Sequence, residues 1–300
     1  MRELLVPNSA SDEPIVAVTN LSRSFGLKKA LNDVTLAVSR GCVFGLVGEN
    51  GAGKSTLIKH LLGLWRAETG SVKTFGLDPV SEPTAVLGRI GYLSEQPDLP
   101  DWMSVAELLR YARAFYPRWD TTYADQLLRQ FSLDVGARIK TLSKGQRARL
   151  GLIGAEAHRP DLLILDEPSS GLDPIVRRDI LEAIIRTVTD EGRTVIFSSH
   201  LLDEVERVSD HVAMLHKGTL KLCAPLEEIK ASYRRVSLRF EVPRTEPPEV
   251  AGAIHVDGAG RVISDARRTY APAVAQQLGA VIVEDAEASL DEIFVAHAGY

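Results

Sequence analysis

One run limits the folds open to this chain more than any other. Residues 48–56 read Gly-Glu-Asn-Gly-Ala-Gly-Lys-Ser-Thr, directly after the apolar run Val43–Val47 and before an apolar segment of helical character. The spacing G-x-x-x-x-G-K-S between a buried strand and a helix is the pattern of a phosphate cradle. Glycines let backbone N–H groups turn inward onto phosphate oxygens, and a helix N-terminus adds a favourable dipole. Candidate ligands are therefore Gly48, Glu49, Asn50, Gly51, Ala52 and Gly53 through the backbone. Lys54 offers a point charge for the β- and γ-phosphates, and Ser55, with Thr56 beside it, a hydroxyl for Mg²⁺. With glycine at about 7% of residues, chance gives this pattern on the order of once in a hundred chains of this length.

A second feature answers the same chemical need. The apolar run Leu162–Leu165 ends in Asp166-Glu167. Adjacent carboxylates at the end of a buried strand are costly unless they meet water or a cation. Successive strand residues point to opposite sides, so one can face Mg²⁺ and the other an attacking water. Asp166 is assigned to the metal and Glu167 to the general base.

Strand-like and helix-like segments alternate through most of the chain, which predicts an α/β fold with a largely parallel sheet. Ile15–Val18, Val34–Val38, Val43–Val47, Thr194–Ser198 and Val212–His216 read as strands, with Gly218 in a hairpin turn. Residues 97–158 hold no strand candidate. Ser104 with Glu107 and Ser143 with Gln146 form capping boxes at the starts of helices, and another helix follows Thr122. Asp173-Pro174 reads as a helix start and Gly192 as a stop. After about Ser232 the composition shifts. Val236, Leu238, Phe240 and Val242 alternate with polar residues; Pro243, Pro247 and Pro248 break that strand; a helix before Gly279 and one capped by Ser289 and Glu292 follow. The expected division is 1–228 and 229–300, the second part a small α+β appendage.

The 45% hydrophobic and 25% charged residues are ordinary for a globular protein and exclude wholesale disorder and collagen-like or disulfide-scaffold classes. The net charge of −5 implies no basic face, so nucleic acid is not an expected partner. Cys42 and Cys223 lie far apart, which excludes a cysteine zinc site and favours a reducing compartment. The longest uncharged stretch, Thr269–Val283, is shorter than the ~20 apolar residues a spanning helix needs. The first residues carry no long apolar run of a secretory signal. The reading is a cytoplasmic protein that something else must hold at any membrane.

These motifs together resemble the ATP-binding cassette (ABC) family over about residues 14–222. Gly48–Thr56 resembles its Walker A motif and Leu162–Glu167 its Walker B motif. Leu142-Ser143-Lys144-Gly145-Gln146 is similar to the signature LSGGQ, which separates this family from other P-loop ATPases. Ser170-Gly171-Leu172-Asp173 resembles the D-loop, His200 stands at the switch histidine, and Phe25 at the aromatic that stacks on adenine. The resemblance implies a P-loop NTPase core with a mostly parallel sheet, an antiparallel β subdomain and the helical insertion at about 97–158. It implies ATP and Mg²⁺ as ligands. It also implies a head-to-tail pair in which Ser143, Lys144, Gly145 and Gln146 grip the γ-phosphate held by the opposite copy and Asp173 crosses the interface. His200 would contact the γ-phosphate. Glu95, or else Gln96, fills the loop position that contacts metal and water, a loop through which family members also sense their membrane partner.

The branch most resembled is the single-cassette subunit of bacterial ABC-2 exporters of antibiotics and drugs, on residues 95–102 and 289–295. That implies a homodimer or a related cassette partner, separate membrane-spanning subunits, and a place on the cytoplasmic face of the membrane. A soluble ABC ATPase acting on ribosomes or nucleic acid is the alternative; long coiled coils and a second cassette, which such relatives carry, are not seen in the sequence. A guanine-nucleotide switch is a third, and no Asn-Lys-x-Asp motif occurs. The remaining polar residues are expected to be bland. Lys144 points to solvent, Arg147, Arg149, Arg177 and Arg178 are surface charges, Asp203, Glu204 and Glu206 form an exposed acidic helix, and the histidines other than His200 are structural.

Overall fold

The computed structural model describes residues 13–189, 192–240, 253–256, 261–265, 275–276 and 279–298. The chain divides into two compact units, Met1–Leu220 and Lys221–Tyr300.

The first unit opens with an antiparallel sheet of β1 (Val16–Phe25), β2 (Lys28–Val38) and β4 (Thr69–Thr74), in the order β2-β1-β4. Both long strands extend well beyond the apolar runs that announced them. Polar residues in left-handed backbone interrupt the alternation: Asn20 has φ 49°, Asp33 has φ 54°, and the Asn20 amide donates to Asp33 at 2.8 Å. Such irregularities twist a strand without ending it. Leu57, Ile58 and Leu61 of helix α1 (Lys54–Leu61) share one core with Val16, Val18, Leu21 and Leu31 of this sheet.

The second sheet has six strands. They are β3 (Val43–Val47), β5 (Ile90–Leu93), β6 (Leu162–Asp166), β7 (Thr194–Ser199), β8 (His211–His216) and β9 (Thr219–Pro225), in the order β5-β6-β7-β3-β8-β9. The pairs β5–β6, β6–β7, β7–β3 and β3–β8 are parallel. Every residue of β3, β6 and β7 is buried, as helices covering both faces of a parallel sheet require. Lys217 and Gly218, both at positive φ, form the hairpin turn into β9.

Residues 97–158 contain no strand. They hold α3 (Val105–Arg113), α4 (Thr121–Gln130), one 3₁₀ turn (Ile139–Thr141) and α5 (Lys144–Glu156). The short α2 (Pro83–Leu87) precedes β5. Both expected capping boxes are present: Ser104 with Glu107, and Ser143 with Gln146. Helices α6 (Pro174–Thr189) and α7 (Leu202–Val208) complete this unit.

The second unit holds α8 (Leu226–Ser232), β10 (Tyr233–Phe240), β11 (Ala253–Val256), β12 (Arg261–Asp265), β13 (Ala280–Glu287) and α9 (Leu290–Ala298). Its antiparallel sheet has the order β11-β12-β10-β13, and Val236 and Leu238 bury the apolar face of β10. Ser289 and Glu292 cap α9 reciprocally. The prolines at 243, 247 and 248 and most of the helix expected before Gly279 lie outside the described residues.

Candidate functional site

Parallel register assembles the site. Asp166 pairs with Ser198 across β6 and β7, and Val47 pairs with Ser199 across β3 and β7. The chain segments leaving β3, β6 and β7 therefore emerge side by side at the carboxyl edge of the sheet, where open α/β sheets bind ligands. Those segments carry Gly48–Thr56, Glu167 and His200.

The loop before α1 uses glycine for space and conformation. Gly53 sits at φ 112°, and a Cβ there would lie 2.5 Å from the Ala30 carbonyl oxygen. At Gly48 a Cβ would meet the Leu215 oxygen at 2.4 Å. No side chain fits at either position, so the backbone alone lines the turn. Lys54 is buried, and its ammonium donates to the carbonyls of Gly48 and Glu49. Lys28, a cation that sequence reasoning missed, brings its Nζ to 3.7 Å from the place a Cβ of Gly51 would take.

Asp166 and Glu167 are both buried. Glu167 holds φ 50°, an uncommon conformation for a residue with a side chain. Ser198 pins the bend: its hydroxyl donates to Asp166 Oδ1 at 2.7 Å and accepts from the Glu167 N–H at 2.9 Å. The carboxylate of Glu167 then meets two side chains, one of them the Lys54 ammonium. Lys54 Nζ lies 2.9 Å from Oε1, and His200 Nδ1 donates to Oε2 at 2.6 Å. Beside them, burial and the charge of Asp166 push the Tyr92 phenol up to about 12, so it stays neutral.

Phe25 is 42% exposed. Trp65 meets its ring edge-on with centroids 5.0 Å apart, and the Arg23 guanidinium stands 5.0 Å over the ring. Arg23 is itself tied to Glu68 at 3.7 Å. This leaves an aromatic platform held from its edge and one face, as a stacking purine would need.

The signature segment caps α5 through Ser143 and Gln146, and Gly145 packs where a Cβ would lie 2.8 Å from Val176. Two expectations are corrected here. Lys144 is exposed along its stem, yet its Nζ donates to the Ser170 carbonyl at 2.7 Å rather than turning to solvent. Glu204 is buried, not exposed: it accepts from Ser169 Oγ at 2.5 Å and from Ser199 Oγ at 3.4 Å. The acidic look of Asp203-Glu204-Glu206 hid the one residue that faces inward. Arg149 also pairs inward, with Asp179 at 2.5 Å, and Arg177 donates to the Leu172 carbonyl. Asp173 accepts from the N–H groups of Ile175 and Val176, so it caps α6. Glu95 accepts from Ser170 Oγ at 3.4 Å.

A backbone-lined turn and a buried ammonium fit the phosphates of a nucleoside triphosphate, and Phe25 at the end of β1 offers an exposed aromatic face. For a cation, the hydroxyl of Ser55 and the carboxylate of Asp166 are hard oxygen donors. Among the described residues no cluster of three or more His, Cys, Asp or Glu is built to hold an ion. Magnesium commonly binds with one or two carboxylates plus substrate phosphates, so the donor set suits it.

Strand order, turn and carboxylates define a P-loop nucleoside triphosphatase. The family model for ABC transporters matches residues 31–170. NatA, an ABC transporter ATP-binding protein of Bacillus subtilis, is 33% identical over 236 residues, spanning 75% of this chain and 96% of its own. The daunorubicin/doxorubicin resistance ATP-binding protein DrrA of Streptomyces peucetius is 30% identical over 313 residues, spanning 95% of this chain and 92% of its own. A solved ATP-binding subunit of an ABC transporter superimposes with a TM-score of 0.67 and 31% identity, over 72% of this chain and 92% of its own. The chain belongs to the ABC transporter ATP-binding family: it binds and hydrolyses ATP as the energising subunit of a transporter.

Proposed function

We propose that this ATPase drives export through separate membrane-spanning subunits, as a bacterial ABC-2 type cassette, and works as a head-to-tail pair at the cytoplasmic face of the membrane. The observation that carries the exporter reading is the reach of the likeness to a drug-resistance ATP-binding protein. It covers 95% of this chain, so it extends into the second unit. The bacitracin transport ATP-binding protein BcrA of Bacillus licheniformis supports the same reading at 31% identity over 81% of this chain. Among the described residues no helix is long and apolar enough to cross a membrane. A cleft of about 430 Å³ beside residues 94–99, lined by Leu62, Tyr92, Leu93, Pro97, Leu109 and Tyr116, supports a seat for the membrane-spanning subunit there.

The chemistry follows from the buried cluster. Backbone amides of residues 48–53 and the Lys54 ammonium hold the triphosphate, and adenine stacks on Phe25. Ser55, Asp166 and Glu95 or Gln96 would hold Mg²⁺, which would supply positive charge against the phosphates. Lys54 and His200 are the two side chains gripping Glu167, and both are assigned to the phosphates. Arrival of the triphosphate transfers them from carboxylate to phosphate and leaves Glu167 as the base for the attacking water. Ser143 and its neighbours close the site from the opposite copy.

Glu167→Gln keeps ATP binding and slows turnover by roughly 10²–10⁴-fold, the range for a lost general base. In ATP this variant accumulates as a dimer on size exclusion, and adding Ser143→Arg abolishes that dimer. Unchanged turnover overturns the base, and a dimer that survives Ser143→Arg overturns the shared site.

A further inference from the structure

Two residues of this chain depart from the motifs they otherwise match. Lys144 stands where the signature has its first glycine, and Glu95 where the loop after β5 has a glutamine. One change adds a cation and the other an anion. Separated, each would disturb a site built around phosphate charge. They are not separated: both end on the same residue. The Lys144 ammonium donates to the Ser170 carbonyl at 2.7 Å, and the Ser170 hydroxyl donates to Glu95 Oε1 at 3.4 Å.

We propose that Lys144, Ser170 and Glu95 form a charge-compensated relay that positions the segment following the general base, and that Lys144 is therefore a positioning residue for hydrolysis. Ser170 lies three residues after Glu167, and its N–H already donates to the Glu167 carbonyl at 3.1 Å. Fixing Ser170 from both sides thus fixes the turn on which the base stands. Neighbouring residues make room for the lysine. Gly171 has φ 63°, and a Cβ there would lie 2.6 Å from Lys144 Nζ, so the ammonium fills space that a side chain at 171 would need. The signature glycine, Gly145, packs on Val176 of α6. Below, Ser169 is anchored to buried Glu204. The loop 169–171 is thereby held from α7, from the start of α5 and from the loop after β5.

The relay explains why the two departures occur together. Lys144 alone would pull the Ser170 carbonyl without an opposing anchor, and Glu95 alone would add an uncompensated negative charge beside the phosphates. The inference rests on the shared-site reading above only in treating this loop as part of the reaction centre.

The test is a double-mutant cycle in steady-state ATPase assays on the full chain. Lys144→Met and Glu95→Gln each lower kcat by roughly 3–10-fold, and Lys144→Met holds KM for ATP within about 2-fold. The double variant falls no further than the weaker single, well short of the product, as contacting residues do. Lys144→Arg restores most of the loss because its guanidinium reaches the same carbonyl. Ser170→Ala lowers kcat at least as much as Glu95→Gln, which keeps an acceptor oxygen, and the two together fall no further than Ser170→Ala alone. Should Lys144→Met not fold, Ser170→Ala against Glu95→Gln makes the same comparison. Effects that multiply, or an unaltered kcat in Lys144→Met, overturn the relay. The Glu167→Gln dimer separates this failure from that of the shared site: multiplicative effects with the ATP-trapped dimer intact sink the relay alone.

Discussion

The two polar clusters at the carboxyl edge of the sheet are built on opposite terms. Around the phosphate turn the charges are buried: Lys54 and Glu167 each keep 5% of their surface. At Ser170 the lysine and glutamate are exposed and meet through a backbone carbonyl and a hydroxyl. A buried charge must be matched by a partner of fixed geometry, because an unmatched one is far more costly than a surface charge. Each member of the first cluster therefore fixes the others, and the sequence pattern around it is strict. Exposed groups are screened and adjustable, so the second cluster tolerates new charges when they arrive in pairs.

The largest expected effect lies in the buried cluster. Lys54→Met removes the ammonium from Glu167 Oε1 and leaves that carboxylate with its contact to His200 Nδ1. Breaking a buried pair from one side costs about 3–5 kcal/mol. Urea denaturation should show a loss in that range, and calorimetry should show no ATP binding at concentrations that saturate the parent. The double variant Lys54→Met, Glu167→Gln recovers most of the stability, since the orphaned charge is gone. A double variant no more stable than the single breaks the contrast between the clusters.

What the sequence revealed divides along the same line. Gly48–Thr56, Asp166 and Glu167 were legible because backbone-lined turns and buried carboxylates admit few residue types, whereas His200 was picked out by the family resemblance alone. The caps at Ser104 and Ser143 were legible because a helix start needs a local acceptor. Ser198 was not: it is an ordinary strand serine until parallel register sets it against Asp166. Glu204 was hidden among acidic neighbours, and only its spacing on α7 decides that it faces Ser169 and Ser199 while Asp203 does not. The direction of Lys144 depends on a carbonyl 26 residues away in the chain. Strand lengths in β1 and β2 were underestimated because positive-φ Asn20 and Asp33 break the alternation from which strands are read.

Glu204 stands between the two clusters and gives an intermediate effect. It is buried, accepts from Ser169 and Ser199, and has Arg177 at 4.0 Å. Glu204→Ala strands two buried hydroxyls and should lower stability by about 1–3 kcal/mol. Glu204→Gln keeps an acceptor oxygen and should lose less. Turnover in the glutamine variant should fall further than its stability loss explains, because Ser169 lies two residues from Glu167. If stability falls and turnover per folded molecule does not, the anchor serves the fold alone.

The smallest effect belongs to the exposed aromatic shelf. Trp65 touches the edge of Phe25, and Lys59 Nζ stands 4.6 Å over the Trp65 ring, so the indole is itself held in place. One such ring pair is worth about 0.5–1.5 kcal/mol. Trp65→Ala should weaken ATP binding by roughly 2–10-fold, read by titration calorimetry, with kcat at saturating ATP unchanged. Phe25→Ala should weaken binding by at least as much, since it removes the stacking face and not its support. The two losses should not add, because Trp65 acts through Phe25. A Trp65→Ala loss larger than that of Phe25→Ala would mean that the indole itself meets the base, and the exposed shelf would then have two working rings instead of one ring and a brace.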